Sequence, residues 1–299
     1  MVPSPPRPVF RFAPSPNGAL HLGHAYSALL NAKLAGETGG RLLLRIEDLD
    51  QGRCKREYEA AIVDDLAWLG IVFDASPRRQ SEHVADYARA LASLRARGLI
   101  YPCFCSRAEV AATAGGARDP DGAPIYSGAC RALTPRELAD RLAAGERAAL
   151  RLDSARALAA APRTLNWREL GEGESESLRR SDPAAWGDFV VRGKDNAASY
   201  HLAVAVDDAL QGVSDVARGR DLLAATSAHR LLQALLGLPA PRYRHHRLVL
   251  DDEGAKMSKS ASSPALSALR EQGYSARDVR AALGFEPTTA PPRLSARLS

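Results

Sequence analysis

At 299 residues and 32.0 kDa the chain is long enough for two domains, or for one α/β domain carrying an insertion. Its 45% hydrophobic and 25% charged residues exclude a largely disordered protein, and no run approaches the ~18 apolar residues of a membrane span. The net charge of +5 is compatible with a polyanionic partner without demanding one.

The N-terminus, MVPSPPRPVF, has no apolar core and does not read as a secretory signal. Four cysteines are too few for a disulfide scaffold, and three of them cluster, which in a cytoplasmic chain points to metal before a bridge. A cytoplasmic location is expected, and a monomer, since no exposed apolar stripe is obvious. The basic residues are 35 Arg and only 5 Lys. Two of those lysines, Lys256 and Lys259, flank Met257 in one short stretch, a compositional anomaly in its own right.

In chain order, residues 1–8 read as a loose Pro-rich lead. Val9–Ala13 predicts a buried strand, Leu20–Gly36 a helix and Arg41–Ile46 a second strand. Helices are expected at about 55–69 and at 82–97, the latter capped by Ser81 and stopped by Gly98. Strand, helix and strand make a βαβ unit, so residues 9–100 read as the first half of a parallel, nucleotide-binding sheet. Residues 113–129 form a Gly-, Ala- and Pro-rich loop. A helix follows from Thr134, with Pro135 in its first turn and Glu137 closing a capping box. The polar stretch 171–182 is expected to be exposed, and 101–180 reads as an insertion between two halves of one sheet. Strand character returns at Asp188–Arg192 and Ser199–Val206, a helix at 221–237 and a strand at Leu248–Leu250. The second half is then 181–245, followed by a loop and short helices over 246–285 and a frayed tail at 286–299.

Three constellations carry chemistry. His21-Leu22-Gly23-His24 opens a helix directly after a strand, so two imidazoles at i and i+3 share the face of a positive dipole end. Gly23 lets a ligand ring approach the backbone. The arrangement suits ATP. Lys256-Met257-Ser258-Lys259-Ser260 follows a strand and a polar turn, and its ammonium groups can neutralise a departing pyrophosphate. Cys103, Cys105 and Cys130 can fill three corners of a tetrahedral zinc site, with Asp119, Asp121, Tyr126 or Ser127 as donors for the fourth.

HLGH and KMSKS, in that order on a parallel α/β frame, resemble the two signatures of class I aminoacyl-tRNA synthetases. RFAPSPNGALHLGH and LLLRIEDLD resemble the glutamyl subgroup. The resemblance implies a Rossmann-type, doubly wound parallel sheet and a ligase that uses ATP with magnesium. His21, Gly23, His24 and Lys259 would meet the nucleotide, and His21, His24, Lys256 and Lys259 would serve catalysis. It further implies that L-glutamate is bound by Arg11, Ala13, Ser15, Glu47, Tyr200 and Arg218. Two guanidiniums and one carboxylate match an amino acid with two carboxylates and one ammonium. Which arginine takes which carboxylate stays open at this stage. CxC followed by Yx3C resembles the zinc site of truncated glutamyl synthetase paralogues, which selects Tyr126 as the fourth ligand of one structural zinc.

Only 39 residues follow KMSKS, too few for a helical anticodon-reading domain, so none is expected. That combination resembles the glutamyl-Q tRNA(Asp) synthetases, which transfer glutamate to the queuosine cyclopentenediol in the anticodon of tRNA(Asp). The alternative is a catalytic core that charges the 3′ end of tRNA(Glu).

Overall fold

The computed structural model describes residues 6–171, 175–250, 264–287, 294 and 296–298. Lys256 and Lys259 therefore lie outside the described residues. The chain opens with β1 (Val9–Phe12), α1 (Leu22–Glu37), β2 (Arg41–Ile46), α2 (Arg56–Trp68), β3 (Arg78–Arg79) and α3 (Val84–Ala96). β1 and β2 run parallel, as the βαβ reading requires, and β3 adds a short parallel edge that carries no sequence signal. Ser81 does not cap α3. It sits in a 3-10 turn, where its N–H and hydroxyl both donate to Asp48 at 2.8 and 2.5 Å.

The middle of the chain holds β4 (Ile100–Cys103), α4 (Arg107–Thr113), α5 (Pro135–Ala143), β5 (Ala149–Leu152), α6 (Ser154–Ala160), β6 (Asn166–Leu170) and β7 (Glu176–Arg180). Thr134 caps α5 through the expected box with Glu137. Within the polar stretch, Glu176–Arg180 is an exposed strand, β7, which pairs antiparallel with β6. Next come β8 (Val190–Arg192), α7 (Tyr200–Leu210), β9 (Asp215–Gly219), α8 (Ala225–Leu236) and β10 (Arg242–His246). The chain finishes with β11 (Val249–Leu250), α9 (Leu266–Glu271), α10 (Ala276–Ala282) and β12 (Arg297–Leu298).

Ser199–Val206 is not a strand but the start of α7. An eight-residue apolar run reads alike in a buried strand and a buried helix. Here the Ser199 hydroxyl accepts the Leu202 N–H and starts the helix. Strand pairing also crosses the expected boundary at residue 180. β8 closes an antiparallel sheet with β5 and β4, whereas β6 pairs in parallel with β10. In the tail, Arg297–Leu298 pairs with Val249–Leu250, so that part of 286–299 is tied down rather than frayed.

β9, β10 and β6 continue the parallel sheet. The Ser214 N–H donates to the Val9 carbonyl at 3.1 Å, and the Val9 N–H donates to the Ser214 hydroxyl at 2.9 Å, which sets β1 beside β9. The order is thus β3-β2-β1-β9-β10-β6-β7, and it reverses direction between β1 and β9. Ligands of doubly wound sheets bind at that switch point, beyond the strand C-termini. α1 spans it: fully buried Asn31 donates to the Ser27 carbonyl of its own helix and to the Ala217 carbonyl on β9, at 2.8 and 3.0 Å. Leu22, Ala25 and Ala28 of α1 pack with Phe10, Phe12, Leu42 and Leu44 of the sheet. Each large apolar side chain so buried contributes about 1.5–3 kcal/mol. Among the described residues no helix is long and apolar enough to cross a membrane.

Candidate active site

A cavity of about 580 Å³ opens at the switch point. Its walls include Arg11, Ala13 and Ser15 at the end of β1, Glu47 after β2, Tyr200 on α7 and Arg218 on β9. His21, Gly23 and His24 at the start of α1 line the same cavity. Every described residue assigned from sequence to glutamate or nucleotide therefore faces one space.

His21 caps α1, and its Nδ1 accepts the Gly23 N–H at 3.1 Å; the His24 Nδ1 accepts the His21 N–H at 3.2 Å. With each Nδ1 accepting, both rings carry the proton on Nε2 and act as donors there. A Cβ on Gly23 would meet the His21 ring at 3.0 Å, so the glycine serves the cap as well as ligand approach. The ends of the segment that contains Lys256 and Lys259 stand at this helix start. Val249 lines the cavity, Ala265 bridges to His21, and the Leu266 N–H donates to the Leu20 carbonyl at 2.8 Å.

Electrostatics beneath the cavity rest on residues that the sequence reading did not single out. Asp208, buried on α7, accepts from Arg11 Nε at 3.2 Å and from Arg45 Nη1 at 2.8 Å. Burial pushes the Asp208 carboxyl up, but Arg11 and Arg45 outweigh it and hold it below the usual carboxylate range. Its neighbour Asp207 accepts from Arg78, Gln80 and Tyr87, each at 2.8 Å, and so ties α7 to β3 and α3. Glu47 accepts from Arg45 Nε at 3.4 Å. Burial raises the Glu47 carboxyl to about 7 against the pull of Arg45 and Arg11.

Arg218 is 4% exposed and gripped on three sides. Its Nε donates to His245 Nε2 at 3.3 Å, and its Nη2 donates to the Thr226 hydroxyl at 2.7 Å and to the Leu222 carbonyl at 3.1 Å. Its Nη1 lies 3.2 Å from His229 Nδ1. Behind it, Glu169 Oε2 takes both His245 Nδ1 and Trp167 Nε1 at 2.8 Å. Burial, reinforced by the Arg218 charge, lowers His201 to about 4 and His229 well below its ordinary value, so both are neutral at pH 7. Neutral rings can support a guanidinium without adding to its charge. Only the adjacent Asp207-Asp208 pair inside an apolar run hinted at this layer.

The three cysteines converge. Cys103, Cys105 and Cys130 place their sulfurs within 4.8 Å of one another. Cys105 Sγ lies 3.5 Å from Cys130 Sγ and 3.4 Å from the Tyr126 hydroxyl. Tetrahedral zinc with bonds of ~2.3 Å to sulfur and ~2.0 Å to oxygen requires edges of about 3.8 and 3.5 Å, and the two edges at Cys105 are close to those lengths. Gly128, with φ at +85°, turns the chain into the 3-10 turn that carries Cys130. Burial pushes the Cys130 thiol up, but hydrogen bonds from the Tyr126 hydroxyl and the Phe104 N–H outweigh it and lower it. Cys54 is remote from this set. It lies in the loop before α2, 3.8 Å from the Glu47 carbonyl. The loop that leaves the cysteine cluster also brings Asp121 to the wall of the main cavity, a placement with no local sequence signal.

A parallel sheet with an HxGH-type helix start and a charged pocket at its switch point defines a nucleotide-dependent acyl-activating fold of the class I synthetase type. The family of tRNA synthetases class I (E and Q), catalytic domain, matches residues 9–286, and the chain belongs to it. It is 42% identical to the Glutamyl-Q tRNA(Asp) synthetase of Rhodobacter capsulatus, over 93% of this chain and 100% of that one. It is 39% identical to Glutamate--tRNA ligase 2 of Nitrosococcus oceani, over 88% of this chain and 56% of that one. Among solved structures, a glutamate tRNA ligase from Elizabethkingia meningosepticum in complex with its amino acid superposes with a TM-score of 0.74. Identity there is 27%, over 93% of this chain and 60% of that one. The protein is a ligase of the class I aminoacyl-tRNA synthetase family.

Proposed function

We propose that the protein activates L-glutamate with ATP and transfers it to the queuosine cyclopentenediol of tRNA(Asp). The observation that carries the glutamate half is the meeting of Arg11, Glu47, Tyr200 and Arg218 in one cavity beside His21 and His24. The queuosine half rests on similarity to relatives named for that reaction, the Rhodobacter protein along its whole length.

In the first step the α-carboxylate of glutamate attacks the α-phosphorus of ATP, accompanied by magnesium. The bond to pyrophosphate breaks and glutamyl-adenylate forms. Glu47 accepts from the substrate ammonium, and Arg11 and Arg218 take the two carboxylates. Asp208 fixes Arg11 through Nε, which leaves both Nη groups to offer. Arg218 has one Nη1 hydrogen beyond its partners among the described residues and takes the side-chain carboxylate. His21 and His24 hold the nucleotide through Nε2–H, and Lys259 with Lys256 neutralises the departing pyrophosphate. In the second step a diol hydroxyl attacks the mixed anhydride, yielding an ester and AMP. Cys103, Cys105, Cys130 and Tyr126 would hold one zinc ion, which with four protein ligands would serve to organise residues 101–130 and not the chemistry of either step.

The test is transfer of labelled glutamate to queuosine-containing tRNA(Asp) and to tRNA(Glu). Label on the first, abolished by prior periodate oxidation of the diol and absent from tRNA(Asp) with unmodified guanosine, supports the proposal. Label on tRNA(Glu) instead replaces it with 3′-end charging, the reaction for which the Nitrosococcus relative is named.

A further inference from the structure

A second cavity, of about 390 Å³, lies beyond the C-termini of β6 and β10, on the same edge of the sheet as the first. His246 lines both, so the two share a wall. Two buried nitrogens in its lining have no hydrogen-bond partner, Arg244 Nε and His246 Nε2. They stand at i and i+2 on one face of β10, about 6–7 Å apart along the strand. The Arg244 Nη1 donates to the Gly171 carbonyl, which holds the guanidinium in place while its Nε–H stays unused. The His246 Nδ1 is 2.8 Å from the Arg247 carbonyl and must donate there, so its unpartnered Nε2 is an acceptor. The residues of this wall therefore hold one donor and one acceptor that have no partner, both enclosed just behind its surface.

The rest of the lining narrows the ligand. Tyr26 of α1 meets the His246 ring edge-on at 5.0 Å, giving an aromatic wall. Arg179 on exposed β7 and Arg247 after β10 bring the guanidiniums of the lining, with Arg244, to three. Of the two carboxylates present, Glu169 is engaged by His245 and Trp167, and Glu176 pairs with Arg168 at 3.5 Å. The surplus charge is positive. A nucleotide meets that description, with a flat base that carries donors and acceptors on its edge and is attached to an anion. Unstacked single-stranded bases are recognised through such edges and aromatic faces.

We infer that this cavity binds a ribonucleotide of the RNA acceptor that neighbours the one entering the first cavity, its base edge read by Arg244 and His246 and its phosphate met by Arg179. The inference rests on the proposal above that the acceptor is RNA. The shared wall makes the register physical, because adjacent nucleotides of one strand can occupy adjacent cavities.

The test is fluorescence-anisotropy titration of a labelled seven-nucleotide single-stranded RNA against the wild type, Arg244→Gln and Arg179→Ala, with glutamate-dependent ATP–pyrophosphate exchange measured alongside. The expected result is a Kd raised about 10-fold or more in Arg244→Gln. Arg179→Ala should weaken binding and flatten the salt dependence by about one unit of slope. Exchange should stay within about twofold of wild type in both variants. Unchanged RNA binding in both variants would overturn the inference and leave the cavity to water. A parallel rise in the KM for ATP would also overturn it, by making the cavity part of the first site. If Arg244→Gln melts at low temperature, Arg179→Ala on the exposed strand decides alone. A wild type that binds the RNA through these residues but transfers no glutamate to any tRNA would sink the proposed function and leave this cavity standing.

Discussion

Arg45 donates to Asp208 at 2.8 Å with both side chains closed to solvent, and the same carboxylate oxygen takes the Arg11 Nε–H at 3.2 Å. One buried anion therefore serves two cations, one of which faces the substrate cavity. Removing it leaves the Arg11 guanidinium without a carboxylate and Arg45 with Glu47 alone. Asp208→Ala is expected to cost about 3–5 kcal/mol of stability. Urea denaturation checks this, and a variant within 1 kcal/mol of wild type would mean that water replaces the carboxylate at little cost.

Glu47 sits in the same network with its carboxyl raised to about 7. In the absence of substrate its contribution to stability is full below its ordinary value of 4.5 and fades as pH rises through about 7. Glutamate binding has the opposite sign, because the substrate ammonium needs the ionised form. Below pH 7 the kcat/KM for glutamate should rise about tenfold per pH unit. Glu47→Gln should lower it and flatten that limb; a wild-type profile that is already flat from pH 5 to 7 rejects the role.

The neutral histidines around Arg218 predict an acid limit to stability. His201 is lowered from 6.5 to about 4, so the unfolded chain takes up a proton that the folded chain refuses. Stability must then fall as pH drops from about 6.5 to 4. His201→Asn should make the melting temperature less dependent on pH across that window, as read by differential scanning fluorimetry. An unaltered dependence would place the acid-sensitive group elsewhere.

For the cysteine cluster, elemental analysis should find about one zinc per wild-type chain. Cys130→Ser should abolish it. Tyr126→Phe keeps three thiols and should weaken the site by about 10-fold or more, measured by chelator competition. Equal retention in Tyr126→Phe and wild type would transfer the fourth position to another ligand.

Lys259→Ala should slow glutamate-dependent pyrophosphate exchange by ~10²-fold, the scale of losing one transition-state donor. Its effect on the KM for glutamate should be small. An exchange rate equal to wild type would remove Lys259 from the chemistry.

Much of the fold was legible locally. β2 falls at Arg41–Ile46 as its apolar run predicts, and α5 begins at the Thr134–Glu137 capping box. These signals are carried by residues a few positions apart. α7 was misread because burial on all sides erases periodicity, and β9 and β10 were missed because each is short and mixed in polarity. The HLGH and cysteine patterns were readable because each ligand set needs particular residue types at close spacing.

What no local pattern could supply is the set of partners. Asp208 reaches Arg11 and Arg45 across separations of 197 and 163 residues, and Glu169 reaches His245 across 76. The residue types for binding two carboxylates, an ammonium and a nucleotide were visible in the chain. Their ionisation and their direction were not. Those follow from burial and from which charges face one another, and both arise only once the sheet closes at the switch point between β1 and β9.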